Sequence, residues 1–111
     1  MAYRVEIAPL ALANLEAAYQ FLKKKNPSFA AQWLSDITEA ILSLERIPMR
    51  CPKASESREV GQPIRYLLHG KAQSEYKVFF SVNPKNLVRV FHIRHSFRKP
   101  LLPVDFKTLL A

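Results

Sequence analysis

The C-terminal third of the chain contains residues that could do acid–base chemistry on a phosphate. The stretch "VFHIRHSFRKP", residues 90–100, contains His92, Arg94, His95 and Arg98. An imidazole titrates near ~6.5 and can exchange a proton at neutral pH, and a guanidinium binds phosphate through two donors. Because side chains alternate along a strand, His92 and Arg94 should share one face and His95 should point to the other. We therefore expect the two histidines not to act as a simple pair unless the strand ends or bulges between them.

The elements that precede this cluster are a short strand and two helices. Residues 3–7, "YRVEI", alternate apolar and polar side chains, which predicts a strand. Pro9 suits the first position of a helix, and Asn26 and Pro27 can cap and begin a second one. Pro48 ends the second apolar pattern at about position 47. Two helices joined by almost no linker predict an antiparallel αα-hairpin.

Three further strands are predicted in the second half of the chain. Residues 48–63 carry three prolines and a glycine and should form a loop. The strand-like runs are Ile64–His69, Glu75–Asn83 and Leu87–Arg94. The links "GKAQS" and "NPKN" are of hairpin length, so these strands should form an antiparallel meander. A helical turn is expected near Phe106–Leu110.

The predicted order is β-α-α-β-β-β in a single domain spanning residues 1–111, an α+β fold. The simplest packing is an antiparallel four-stranded sheet with the αα-hairpin packed on one face. The other face should be partly open and should carry many of the basic residues of the second half.

The charge of the chain is unevenly distributed. The formal net charge is +8, of which residues 1–50 contribute +1 (six Lys and Arg against five Asp and Glu) and residues 51–111 contribute +7 (eleven against four). This asymmetry favours nucleic acid or an acidic protein segment as the partner. The alternative is a basic surface that only keeps the protein soluble.

Cys51 is the single cysteine, which excludes an internal disulfide and disfavours a structural zinc site. We expect no metal and no cofactor. The N-terminus has no signal-peptide pattern, and no apolar run approaches the ~20 residues of a membrane span. The sequence therefore predicts a soluble cytoplasmic protein with no membrane partner.

Five motifs, in order, resemble those of the RelE/ParE superfamily of type II toxin–antitoxin toxins, the plasmid stabilisation type of protein. They are "YRVEIAPLALANLEAAYQFL", similar to the opening strand and "P-x-A-x-x-x-L" helix, "SLERIPMRCPKA", similar to the "L-x-x-x-P" helix end, "IRYLLHGK", similar to the "R-x-L" strand, "YKVFFSV", similar to the "Y-x-V-x-F" strand, and "VRVFHIRHSFR", similar to the closing "V-x-V-x-x-I-x-H-x-x-R" strand. Each motif is loose alone, and together they cover nearly the whole chain.

This resemblance implies two alternative targets. RelE-like members cut mRNA on the ribosome with basic residues on the concave sheet face, whereas ParE-like members poison DNA gyrase and lack that RNase set. In both branches a cognate antitoxin wraps the toxin with an acidic or amphipathic segment. The expected partners are therefore an antitoxin and either the ribosome with its mRNA or DNA gyrase.

The resemblance also nominates a catalytic set. Arg65 matches the strand arginine of "R-x-L", and His95 and Arg98 match "H-x-x-R". In an RNase these residues would stabilise phosphate charge and transfer protons without a metal ion. The alternatives are structural: Arg65 could pair with a nearby carboxylate, and His95 and Arg98 could hold the strand end and the tail together.

Three other residues are candidates for substrate binding. Lys71 could add charge near a phosphate, Tyr76 could stack a base, and Arg94 lies in the basic cluster. The competing interpretations are a solvated turn lysine for Lys71 and a core tyrosine for Tyr76. His92 matches no motif, and a surface or packing role is expected for it.

One departure from the RNase branch affects the functional prediction. Several mRNA-cleaving relatives carry a catalytic Tyr or His close to the C-terminus, whereas the stretch "PVDFKTLLA" contains neither. This difference weakens the RNase interpretation without removing it, and it favours the gyrase branch. We expect a toxin that arrests growth by ribosome-dependent mRNA cleavage, as a metal-independent endoribonuclease. The alternatives are a non-enzymatic gyrase inhibitor and a non-toxic module that binds nucleic acid or a protein partner.

Overall fold

A computed structural model describes residues 2–55, 57–71 and 74–96 of the chain. The expected turn near Phe106–Leu110 and the candidate residue Arg98 lie outside these residues. No helix in the described part of the chain is long and apolar enough to cross a membrane.

The described elements follow the predicted order. They are β1 (Arg4–Ile7), α1 (Pro9–Lys25), α2 (Pro27–Leu42), two 3₁₀ turns (Ser43–Glu45 and Pro48–Arg50), the short α3 (Ser57–Val60), β2 (Arg65–His69), β3 (Tyr76–Val82) and β4 (Leu87–His95).

Asn26 forms the turn of the predicted αα-hairpin. Its backbone N–H donates to the Leu22 carbonyl at 2.9 Å and ends α1, and its side chain accepts the Phe29 N–H at 3.1 Å and caps α2. Pro27 occupies the first position of α2, where a missing N–H costs nothing. One extended residue therefore closes one helix and opens the next. The α-helical part of α2 ends earlier than predicted, because a 3₁₀ turn at Ser43–Glu45 takes over after Leu42.

The described strands form one sheet in the order β1-β4-β3-β2. The pairs β2–β3 and β3–β4 are antiparallel, as their short links require. β1 pairs with β4 in parallel, so the expectation of a fully antiparallel sheet was wrong in this detail. A short turn forces two strands to be antiparallel, but β1 reaches the sheet through two helices and a long loop, and this crossover sets no such constraint.

Apolar side chains pack on both sides of the sheet. The side that faces the helices holds the larger cluster, which includes Trp33, Ile37, Ile41, Leu44, Val78, Phe80, Val88, Val90 and Ile93. A smaller cluster lies on the other side and consists of Ala8, Ala54, Ile64, Phe79 and Phe91. The α+β architecture with an αα-hairpin on one face of the sheet is confirmed.

Candidate functional site

β4 contains a β-bulge in the middle of the basic cluster. Phe79 of β3 pairs with His92, and the next residue, Phe80, pairs with Val90. β4 therefore has one more residue than β3 across this step, and the extra residue is Phe91. A bulge of this kind changes which face the following side chains occupy.

The bulge decides where the two histidines point. With uninterrupted alternation, His92 and Arg94 would share the helix-facing side with Val90. Instead His92 stacks on Phe79, a member of the smaller cluster, and Arg94 follows it on the side away from the helices. His95 lies on the helix-facing side. The expected separation of His92 and Arg94 from His95 is therefore confirmed.

An aromatic cluster on the helix-facing side consists of Trp33, His69, Tyr76 and His95. The His95 and Tyr76 rings meet edge to face at 5.2 Å, and the Tyr76 and Trp33 rings do the same at 5.2 Å. The centroids of the Trp33 and His69 rings are 6.4 Å apart, and these rings also meet edge to face. Burial lowers the pKa of His69, and the charge of Asp36 offsets part of that effect. Tyr76 is only 7% exposed, which fits the alternative interpretation of a core tyrosine.

Arg65 holds the proline loop against the start of β2. Its Nη1 donates to the Cys51 carbonyl at 2.6 Å and to the Met49 carbonyl at 3.4 Å. Burial raises the pKa of the Cys51 thiol, and the positive charges of Arg50 and Arg65 offset part of that rise. Among the described residues, the hydrogen-bond acceptors of the Arg65 side chain are thus backbone carbonyls of this loop.

The structure does not bring Arg65 and His95 together. Arg65 is paired across the sheet with Phe80 of β3, and His95 is paired with Tyr76, four residues earlier on the same strand. At about 3.4 Å per residue these backbone positions are about 14 Å apart along β3. Arg98, the third member of the expected catalytic set, lies outside the described residues.

The three expected substrate-binding residues lie in three different places. Arg94 is on the side of the sheet away from the helices, and Tyr76 is in the aromatic cluster on the other side. Lys71 is exposed in the link between β2 and β3 and lines a cleft with residues of the helical hairpin.

A basic and aromatic surface covers the sheet on the side away from the helices, and we call it the outer face. Its side chains are Arg4 and Glu6 of β1, Arg89, Phe91, His92 and Arg94 of β4, Lys77, Phe79 and Ser81 of β3, and Tyr66 and Leu68 of β2. Of the eleven basic residues of the second half of the chain, the described part places Lys77, Arg89 and Arg94 on this face, fewer than expected from the sequence.

Aromatic rings and charges are interleaved on the outer face. The Lys77 ammonium lies 5.0 Å from the centroid of the Tyr66 ring, and His92 stacks on Phe79 at 6.2 Å and 22°. Arg89 faces Glu6 at 4.0 Å. Phe79 and Phe91 are buried, at 3% and 1% exposure. Stacking of a base on this face would therefore use the half-buried Tyr66 and His92, beside cations that can hold phosphate.

Sequence reasoning did not nominate Tyr66, Lys77 or the His92–Phe79 stack. Tyr66, Phe79 and His92 are cross-strand neighbours on three successive strands. The lengths of the links correctly predicted which of these strands are neighbours. The register between β3 and β4 depends on the bulge, which cannot be recognised from the residue types. No group of three or more His, Cys, Asp or Glu within the described ranges could hold a metal ion.

An αα-hairpin packed on a four-stranded sheet is the arrangement expected for the RelE/ParE-type toxins that the motifs resemble. Residues 5–100 match the family model described as "ParE toxin of type II toxin-antitoxin system, parDE". The chain belongs to this ParE toxin family. A solved structure described as "Chromosomal ParDE TA system from P. aeruginosa" contains a similar chain with 19% identity and a TM-score of 0.69, and the match covers 85% of this chain and 96% of that chain. None of the curated proteins matches significantly.

Proposed function

We propose that this member of the ParE toxin family arrests growth by inhibiting DNA gyrase without cleaving nucleic acid itself, and that a cognate antitoxin neutralises it. Family membership supports the toxin role, and gyrase is the target that the resemblance implies for the ParE-like branch. The cytoplasm, where gyrase works, is the proposed location.

The observation that carries the choice of gyrase over mRNA is the separation of the expected RNase residues. Arg65 donates to loop carbonyls, and the His95 ring packs against Tyr76. A cation and a proton donor that act on one phosphate must both reach it at hydrogen-bonding distance. The backbone positions of Arg65 and His95 lie about 14 Å apart along β3, on the two strands that flank it, and the two side chains contact different groups.

The second candidate is mRNA cleavage on the ribosome, and the outer face favours it. Lys77 over Tyr66, His92 over Phe79, and the neighbouring Arg94 form the kind of surface that binds single-stranded RNA. In this case His92 would be the proton donor and Arg94 the phosphate-binding group, in place of His95 and Arg65.

Expression of the chain in bacteria without an antitoxin tests both candidates. Gyrase inhibition predicts an SOS response and filamentation while mRNA stays intact. Prompt translation arrest with cut mRNA and no SOS response would contradict the gyrase proposal and support the second candidate. A folded product that causes no growth defect would contradict both.

A charge reversal distinguishes the surfaces used. If the outer face binds RNA, Lys77→Glu combined with Arg94→Glu abolishes mRNA cleavage. The matched control is Lys24→Glu combined with Lys85→Glu, which makes the same charge change at exposed positions in α1 and in the turn between β3 and β4 and should leave the phenotype unchanged. Equal loss from both changes would mean that only net charge matters.

A further inference from the structure

A cleft that the proposed function does not use lies at the end of the molecule where the helical hairpin turns. Its volume is about 380 Å³, at the lower end of the roughly 300–1,000 Å³ of small-molecule sites. Phe21 of α1 and Phe29 of α2 line it and are 52% and 45% exposed, whereas Leu22, which also lines it, is buried. Two half-exposed rings beside a concavity offer an apolar ligand a surface to cover. The cleft therefore has the size and the lining of a site for a small ligand with an apolar part.

Hydrogen bonds within the chain hold the walls of the cleft in place. The Asn26 N–H donates to the Leu22 carbonyl at 2.9 Å, and the Asn26 Oδ1 accepts the Phe29 N–H at 3.1 Å, which fixes the turn between the two helices. In the link between β2 and β3, the Ser74 N–H and hydroxyl both donate to the Lys71 carbonyl, at 3.0 and 2.9 Å. A cleft that is already formed loses little conformational entropy when it binds a ligand.

Two cations line the cleft. The Lys25 ammonium lies 4.7 Å from the centroid of the Phe21 ring, which holds this charge beside an apolar surface. Lys71 is exposed and lines the same cleft. None of the described residues that line the cleft is acidic, and Lys23 and Lys24 add positive charge in the last turn of α1. The charge favours an anion, and the apolar lining favours an anion that is attached to an apolar group.

We propose that this cleft binds a small amphiphilic anion of the fatty-acid class. The apolar chain lies against Phe21 and Phe29, and the carboxylate lies between the ammonium groups of Lys25 and Lys71. This site needs neither gyrase nor nucleic acid, so it is independent of the proposed function.

The neutral polar side chains of the lining favour a ligand with few polar atoms besides its anion. The Asn26 Oδ1 and the Ser74 hydroxyl each already take part in a hydrogen bond within the chain. A nucleotide would offer its phosphate to the lysines, but its base and sugar carry many donors and acceptors that lose water and need partners. A bilayer binds apolar groups that protrude into it, whereas here the rings line a concavity. A free single-chain amphiphile therefore suits the cleft better than either.

The test titrates the purified, ¹⁵N-labelled full chain with octanoate and follows the backbone amide chemical shifts. Saturable binding is expected, with the largest shifts at the amides of Phe29, Lys71 and Ser74. Octyltrimethylammonium has the same chain with the opposite charge, and AMP has negative charge without the chain. Each should bind about tenfold more weakly than octanoate, because it loses either the attraction to the two lysines or the apolar contact.

One pair of double variants tests the charges. Lys25→Gln/Lys71→Gln should weaken octanoate binding by about fivefold, because both cations of the cleft are lost. Lys24→Gln/Lys85→Gln removes the same charge from exposed positions outside the lining and should change the affinity by less than about twofold.

A second pair tests the apolar contact. Phe21→Ala/Phe29→Ala should weaken octanoate binding by about tenfold. Leu10→Ala/Leu12→Ala truncates two exposed side chains near the other end of α1 and should leave the affinity unchanged. All four double variants change exposed side chains, and a dispersed amide spectrum verifies that each one folds.

The proposal would be overturned by a wild-type chain that octanoate does not shift, or by binding that either cleft variant leaves unchanged. Equal or tighter binding of octyltrimethylammonium or of AMP would contradict the anionic or the apolar part of the site. Phosphatidylglycerol vesicles serve as a parallel probe. Vesicle binding that requires Phe21 and Phe29, with no binding of octanoate, would assign the cleft to a membrane surface and overturn the proposal.

Discussion

The Arg65 guanidinium donates to the backbone carbonyl of Cys51 across a distance of 2.6 Å. The family motif suggests Arg65 as a catalytic residue. In the structure this side chain holds the proline loop against β2. Together with the hydrogen bond to the Met49 carbonyl, this hydrogen bond gives Arg65 a structural role.

Replacing Arg65 by Ala should lower the free energy of unfolding by about 2 kcal/mol, because a charged hydrogen bond to a half-buried carbonyl is lost. For a domain of this size the melting temperature should fall by roughly 10 °C. The control is Arg89→Ala, which removes another strand arginine whose ion pair with Glu6 is exposed and long, at 4.0 Å. That change should cost less than about 1 kcal/mol. Equal costs for the two variants would contradict the structural role of Arg65.

Replacing Gly70 by Ala should destabilise the hairpin between β2 and β3 strongly. Gly70 has a φ of +96°, and an added Cβ would lie 2.1 Å from the Ser74 carbonyl oxygen. We expect a loss of at least about 3 kcal/mol in denaturant unfolding. Gly61 is the matched control, because its φ is +76° but no heavy atom lies within 4 Å of an added Cβ. Gly61→Ala should cost only about 1–2 kcal/mol, and a similar cost at Gly70 would contradict the close approach.

Asn14 connects α1 to the part of β4 that extends beyond β1. Its Oδ1 accepts the backbone N–H of Ile93 at 3.1 Å, after the pairing of β1 with β4 has ended at Val90. Asn14→Ala should cost about 1–2 kcal/mol, because it removes the acceptor for a buried donor. Hydrogen exchange at the Ile93 amide should become faster than in Asn14→Asp, which keeps an acceptor oxygen. An unchanged exchange rate in the alanine variant would contradict this contact.

The aromatic cluster predicts a pH dependence of stability. Burial lowers the pKa of His69 from its usual value of 6.5 in the folded protein. As the pH falls below about 6.5, the unfolded chain takes up a proton at His69 before the folded chain does, so stability is present in full above that pH and decreases as the pH falls.

His69→Gln should therefore flatten the stability curve between about pH 7 and pH 5, a window above the range in which most carboxyl groups titrate. Chemical denaturation of both proteins across this window measures the effect. The charge of Asp36 acts against the shift, so Asp36→Asn should steepen the curve. Parallel curves for wild type and His69→Gln would exclude His69 as the source.

The sequence was most informative where a residue type has one strong structural preference. Asn26 followed by Pro27 strongly favours the end of one helix and the cap of the next, and the structure has that turn. The links before and after β3 were equally informative, because links this short can join only antiparallel strands. The direction of β1 depends on a crossover through two helices, about which the residues of β1 carry no information.

The candidate site was less predictable than the fold because it depends on register and long-range contacts. The bulge at Phe91 turns His92 and Arg94 outward, yet Phe91 is an ordinary strand residue by type. The contact between Arg65 and Cys51 joins residues 14 positions apart through an irregular loop. Neither hairpin spacing nor a sequence motif specifies such contacts.

Gyrase inhibition without RNA cleavage is tested most directly with purified protein, gyrase, ATP and supercoiled plasmid. After detergent and protease treatment, we expect linear plasmid in proportion to the toxin added, because a gyrase inhibitor of this kind traps the gyrase–DNA cleavage complex. The same protein should leave mRNA uncut in a translating extract. Cut mRNA in the extract, with gyrase activity and plasmid unaffected, would contradict gyrase inhibition and identify the protein as a ribonuclease.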